Sequence, residues 1–355
     1  MFESLGFDTL TPPVAAVIFG LLLGAAFGAL AEVTRFCLRR GLVGDPGERR
    51  PALGVWLMAL AVAVLGTQAA VAAGWIGFAG HRFMAPDLPV LAILAGGLMF
   101  GAGMVLTRGC ASRLTVLAAS GNLRAAIVLV VFAIAAHATL KGVLAPLRTA
   151  LGSVTLPLGE AVSLAALPGG ALAGPLVIAG LAGAFALRSG NRPAPLIGAA
   201  LIGALVPIGW VGTGLVLYDE FDPIAFESLS FTAPAAETLF WTIAASAIPA
   251  GFGTGLLGGT LAGAAALALL SGRFRWQSFV SPRETLRYAA GGALMGIGGV
   301  LAGGCTLGVG LSGVPTLSLA AILGLLAIVA GARAADRLVN ASACGSAAPS
   351  ATRPA

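Results

Sequence analysis

Apolar runs of membrane-spanning length dominate this chain and leave it little choice of architecture. A helix crossing a bilayer needs about 20 mostly apolar residues, because hydrocarbon offers exposed backbone groups no water to pair with. Candidate segments fall at roughly 14–34, 54–75, 90–107, 125–143, 172–187, 195–217, 236–270, 288–303 and 315–332. The longest, 236–270, is expected to break at Pro249-Ala250-Gly251-Phe252-Gly253, where helix is disfavoured. Only 10% of residues are charged, against about 25% in soluble domains, so the polar coat of a water-exposed globule is missing. Glycine reaches 52 of 355 residues, about twice the usual share, and small residues let membrane helices approach backbone to backbone. The expected fold is an all-α integral membrane protein of about nine transmembrane segments.

The net charge of +6 does not point to nucleic acid, because the arginines sit in short connectors between apolar runs. Connectors 35–50, 188–192 and 273–287 and the C-terminal stretch together hold fourteen arginines, whereas the alternate side has Arg82, Lys141 and Arg148. Basic loops stay on the cytoplasmic face. The N-terminus is therefore expected outside and the C-terminus in the cytoplasm of a bacterial inner membrane. The opening MFESLGFDTL carries Glu3 and Asp8 without a basic region, unlike a cleaved signal peptide. Residues 338–355 read as a disordered, low-complexity tail. Trp56, Trp75, Trp210, Trp241 and Trp276, near segment ends, read as interfacial anchors.

An internal repeat carries most of the functional information. GGLMFGAGMVLTRGC at 96–110 aligns without gaps on GGALMGIGGVLAGGC at 291–305, with eight of fifteen positions identical. Cys110 and Cys305, two of only four cysteines, close the matching blocks in register. The first block follows the outer loop 76–89 and the second follows the basic loop 273–287, so the copies are expected to enter from opposite faces. Inverted repeats with broken, Gly-interrupted helices build substrate paths in many transporters. The expected division is a first membrane repeat at 1–190, an inverted second repeat at 191–337, and the tail.

With two histidines and no CxxC spacing, the chain lacks the raw material for a zinc or haem site, and no cofactor is expected. A buried thiol is a weak S–H donor and a soft, polarizable contact. That suits a sulfur-bearing anion such as thiosulfate, provided the thiols stay neutral, since a thiolate would repel a dianion. The candidate substrate-binding residues are Cys110, Cys305, Cys37, Arg108, Gly109, Ser112, Gly304 and Thr306. Ser112 and Thr306 are placed to start short helices whose N-termini favour anions. Cys37 has two readings, a third station or a buried small hydrophobe. Arg108 and Arg113 flank Cys110 and either attract the anion or cap a polar vestibule. Cys344 is expected to be incidental, Glu32 to pair locally with Arg35, and His137 and Lys141 to face the membrane interface.

At these residues a family resemblance enters. GLMFGAGMVLTRGC at 97–110 with Gly121-Asn122-Leu123-Arg124, AGGCTLGVGLSG at 302–313, and Phe36-Cys37 resemble the signatures of the YeeE/YedE family. The likeness covers roughly 14–332. It implies an hourglass-shaped membrane fold, thiosulfate uptake through S–H contacts with the matching cysteines, and a TusA-like sulfur carrier as cytoplasmic partner. Arg108 stands where the family commonly has glycine, and Leu307 and Val309 occupy positions that are often polar. A selenium or sulfide species therefore remains an alternative substrate. An enzyme reading, a membrane-embedded cysteine sulfurtransferase, lacks a nearby base to activate either thiol.

Overall fold

A computed structural model describes residues 10–279 and 281–345, with side chains described through Val339. The chain folds into helices α1 (Pro12–Thr34), α2 (Leu38–Val43), α3 (Pro46–Ala72), α4 (Val90–Leu106), α5 (Ala111–Ala119), α6 (Leu123–Leu140) and α7 (Ala145–Gly152). These are followed by α8 (Gly170–Leu187), α9 (Pro193–Val211), α10 (Thr232–Ala244), α11 (Phe252–Leu270), α12 (Pro282–Leu301) and α13 (Leu319–Gly345). Among the described residues nine helical stretches are long and apolar enough to cross a membrane, and the strands amount to one two-residue pair at 87–88 and 156–157. The protein is an all-α integral membrane protein.

The break expected in 236–270 lies between α10 and α11, where Pro249 and Gly251 stand outside helix. At the other end, α13 continues to Gly345. Helix therefore replaces the expected disorder over 338–345, and 346–355 fall outside the described residues, as do Glu3 and Asp8.

Glycine lines set the packing. Gly20, Gly24 and Gly28 of α1 meet the backbone of Phe252, Leu256 and Thr260 in turn, so α1 and α11 run parallel in backbone contact. Gly203 of α9 meets Ala59, and Gly66 of α3 meets Pro207, which makes α3 and α9 parallel as well. The two matching sequence blocks meet each other directly. A Cβ on Gly103 would stand 2.5 Å from the Gly291 carbonyl, and one on Gly298 would stand 2.5 Å from the Gly96 carbonyl. Rising numbers in α4 thus meet falling numbers in α12, so these helices are antiparallel. Under the alignment, Gly96 corresponds to Gly291 and Gly103 to Gly298, so the contacts map onto each other. Gly97 and Gly101 of α4 then pack on α13 at Ala327–Ala332, while Gly292 and Gly296 of α12 pack on α6 at Val128–Ala136. The repeated glycines are repeated because they make the same contacts twice. Helix α8 packs on α3 and has no counterpart in this exchange.

Two tryptophans depart from expectation. Trp56 and Trp210 are each 2% exposed, so they are core residues rather than interfacial anchors. Trp75 and Trp276 are exposed, as an anchor requires. Trp56 packs on Gly310 beyond Cys305, and Trp210 joins Phe78, His81 and Phe226 in an aromatic cluster with ring centroids 4.8–6.2 Å apart.

Candidate functional site: three cysteine breaks between two cavities

Three helices end in the same way. At the ends of α1, α4 and α12 a residue adopts the left-handed conformation: Arg35 (φ 51°), Arg108 (φ 58°) and Gly303 (φ 81°). Two residues later comes a cysteine with extended backbone at the N-cap of a short helix: Cys37 before α2, Cys110 before α5, and Cys305 before a π-helix at Thr306–Gly313. A left-handed residue reverses the chain after a helix, and an extended N-cap starts the next one. Arg108 aligns on Gly303, so the same left-handed turn is made once by arginine and once by glycine. A left-handed arginine costs roughly 1–2 kcal/mol that glycine avoids.

Cys37, Cys110 and Cys305 are all free, and they are 3%, 1% and 0% exposed. The Cys37 and Cys110 thiols interact with each other, so the structure joins the first break to the second. Cys110 Sγ also lies 3.4 Å from Ser112 Oγ. Cys305 Sγ accepts the Gly308 N–H at 3.4 Å. Thr306 is fully buried beside it, and its hydroxyl has no partner among the described residues. Leu307 and Val309 are buried too, at 1% and 0% exposure, and so belong to the packed interior.

A cavity opens at each end of the helices. An arginine-rich one of about 390 Å³ is lined by Glu32, Arg35, Arg40, Glu48, Arg113 and Arg273 with neighbouring polar groups. A wider one of about 680 Å³ is lined by His81, Arg82, His137, Lys141, Glu227 and Glu237 among others. Helix α6 runs from Asn122 in the wall of the first to His137, Leu140 and Lys141 in the wall of the second, which sets the cavities at opposite ends of the bundle.

Each cavity presents one arginine to the thiols. Arg113 lies within electrostatic reach of Cys37 and Cys110 and pairs with Glu32 at 3.6 Å. Glu32 also reaches Arg273 at 3.9 Å, so its partners are these distant arginines rather than Arg35. At the wide end Arg82 lies within reach of Cys305, Glu227 and Glu237. Arg108, by contrast, has an exposed side chain and lines neither cavity, so the structure does not bring it to the sulfurs.

Several wide-cavity groups escaped the sequence reading. His137, stacked on Phe240 at 4.7 Å, and Lys141, expected at the membrane interface, line the cavity. Burial, reinforced by Glu237 and opposed by Arg82, pushes the Glu227 carboxyl up to about 7. Burial, with Arg82 beside it, pulls His81 down to about 4, so this imidazole is neutral near neutral pH. Among the described residues no cluster of His, Cys, Asp and Glu is fit to hold a metal ion.

The sequence model of the family described as "Sulphur transport" matches residues 33–334, most of the chain and all three cysteine breaks. The chain belongs to the sulphur transport family. This family member is 27% identical over 352 residues to the thiosulfate transporter TsuA of Spirochaeta thermophila, covering 88% of this chain and 96% of the relative. It is likewise 27% identical over 358 residues to the thiosulfate transporter TsuA of Escherichia coli, covering 91% of this chain and 94% of that one.

Proposed function

We propose that this protein imports thiosulfate into the bacterial cytoplasm, passing the anion from Cys305 to Cys110 and Cys37 along a path joining the two cavities. The observation that carries the reading is the threefold recurrence of one local structure, a left-handed turn and then a buried N-cap cysteine, between arginine-bearing cavities at opposite ends. The near-complete coverage of two relatives named thiosulfate transporters supports the substrate. The connectors' arginine bias assigns the arginine-rich cavity to the cytoplasm and the N-terminus to the outside. The antiparallel α4–α12 contact supports residues 1–190 and 191–337 as inverted repeats, with the Gly-Cys turns approaching from opposite sides.

The chemistry is non-covalent. The wide cavity collects the dianion near Arg82 and Lys141. The thiols then offer S–H donors and polarizable contacts to its terminal sulfur, while Ser112, Thr306 and the amides after Gly109 and Gly304 serve its oxygens. Each contact is weak, and conduction through successive sites requires weak contacts. Arg113, held by Glu32, draws the ion into the arginine-rich cavity, where a TusA-like carrier is the proposed recipient. Proteoliposomes loaded with thiosulfate test the reading. We expect counterflow of labelled thiosulfate, inhibited by selenosulfate and hardly by sulfate. Absence of counterflow, with thiocyanate formed from thiosulfate and cyanide, would point to a sulfurtransferase instead.

The Glu227 carboxyl makes entry pH-dependent. Its raised value means that it is largely carboxylate at pH 8 and largely neutral at pH 6, while His81 stays neutral throughout. Removing one negative charge about 10 Å from a dianion is worth about fourfold in water. Uptake is therefore expected to rise about threefold as external pH falls from 8 to 6. Glu227→Gln should show the faster rate at both pH values, which separates this carboxyl from Glu237 in the same wall. An unchanged pH profile in the variant would remove Glu227 from the account.

A further inference from the structure

Three side-chain hydroxyls beside the Cys305 break, those of Ser230, Thr232 and Thr306, are buried without a hydrogen-bond partner among the described residues. A buried polar group left unpaired costs about 1–3 kcal/mol, and such orphans are few in native folds. Two of them belong to no motif in the sequence. Ser230 and Thr232 line, with Arg82, Gly303 and Gly304, a recess of about 30 Å³, and Ser230 also lines the wide cavity. A Cβ on Gly308 would stand 2.8 Å from Ser230 Oγ and 3.9 Å from Cys305 Sγ, so hydroxyl and thiol flank the same glycine.

The position has a counterpart at the other end. Helix α2 links α1 to α3, and Cys37 at its start interacts with Cys110. Helix α10 links α9 to α11, and Ser230 just ahead of it adjoins the Cys305 turn. Since α1 pairs with α11 as α9 pairs with α3, Ser230, one residue ahead of the α10 N-cap Phe231, lies close to the place that Cys37 takes at the α2 N-cap, with oxygen in place of sulfur.

We propose that the Ser230 and Thr232 hydroxyls complete, beside Thr306, the oxygen-binding half of a substrate subsite at Cys305. The anion it takes has two unlike ends, a soft sulfur or selenium end against the thiol and an oxyanion end on the hydroxyls. The inference rests on the transport reading and adds a selectivity to it: thiols alone accept any soft anion, whereas this subsite discriminates against hydrosulfide, which has no oxygens.

The test is thiosulfate uptake by proteoliposomes bearing the full chain, with hydrosulfide as competitor. Ser230→Ala and Thr232→Val are each expected to raise the apparent KM for thiosulfate about tenfold, with the maximal rate within threefold and competition by hydrosulfide unchanged; a hydrogen bond to a charged group accounts for a factor of that size. Thr232→Ser, which keeps the hydroxyl, should stay within threefold of the unmodified protein. An unchanged KM in both variants would overturn the inference, as would a loss that Thr232→Ser shares or an equal weakening of hydrosulfide competition. If the unmodified protein carries no thiosulfate, the transport reading fails and the subsite fails with it; active unmodified protein beside unaffected variants sinks the subsite alone.

Discussion

Replacing Cys110 or Cys305 with alanine is expected to lower thiosulfate uptake by about 10- to 100-fold, with the amount of folded protein unchanged. Each sulfur is buried at a helix break, where it is the soft contact for the anion's terminal sulfur. Losing one hydrogen bond to a charged group removes about 1.5–3 kcal/mol, which spans that range. The structural cost is small, because alanine leaves only a sulfur-sized void. Serine variants should fall between, since they keep a donor but lose the soft contact. Cys37→Ala should follow Cys110→Ala, because the two thiols interact. Uptake in proteoliposomes, read beside a melting curve in detergent, separates transport from folding. Unmodified rates in both Cys110→Ala and Cys305→Ala would refute the relay.

The second large effect concerns folding. Gly103→Val and Gly298→Val are each expected to destabilise the protein by more than about 3 kcal/mol. Overpacking a core typically costs about 1–3 kcal/mol, and here the obstacle is the backbone of the facing helix, 2.5 Å from the added Cβ. The α4–α12 contact must then open, disturbing the Cys110 and Cys305 turns together. Gly180→Ala in α8 is the control, since nothing lies within 4 Å of a Cβ there. Thermal melts of the purified variants check the pair. Equal stability of Gly298→Val and the unmodified protein would mean that the matching blocks do not hold each other.

The sequence showed the spans and the repeat, because both are local patterns of hydropathy and of residue identity. The break before α11 was legible from Pro249 and Gly251, and the cysteine turns from Gly-Cys in register. The contact between the blocks was not, since a glycine pattern tells that backbones approach but not which ones. Cys37 had two readings until its neighbour Cys110 was placed beside it. Arg108 looked like an anion-binding residue because it precedes Gly-Cys; its left-handed backbone and exposed side chain come from the turn. The wide cavity was missed for a different reason: Arg82, His137, Lys141, Glu227 and Ser230 come from separate connectors and helix ends that only the fold assembles. Trp56 and Trp210 likewise stand near segment ends in the sequence, yet helices in contact close over them.

The most direct measurement is an experimental structure of the protein with thiosulfate bound. The account predicts the anion against Cys305 or Cys110, its terminal sulfur on the thiol, on a path open toward one of the two cavities. Thiosulfate bound only elsewhere, with all three thiols sealed by side chains in a protein that still transports, would contradict it.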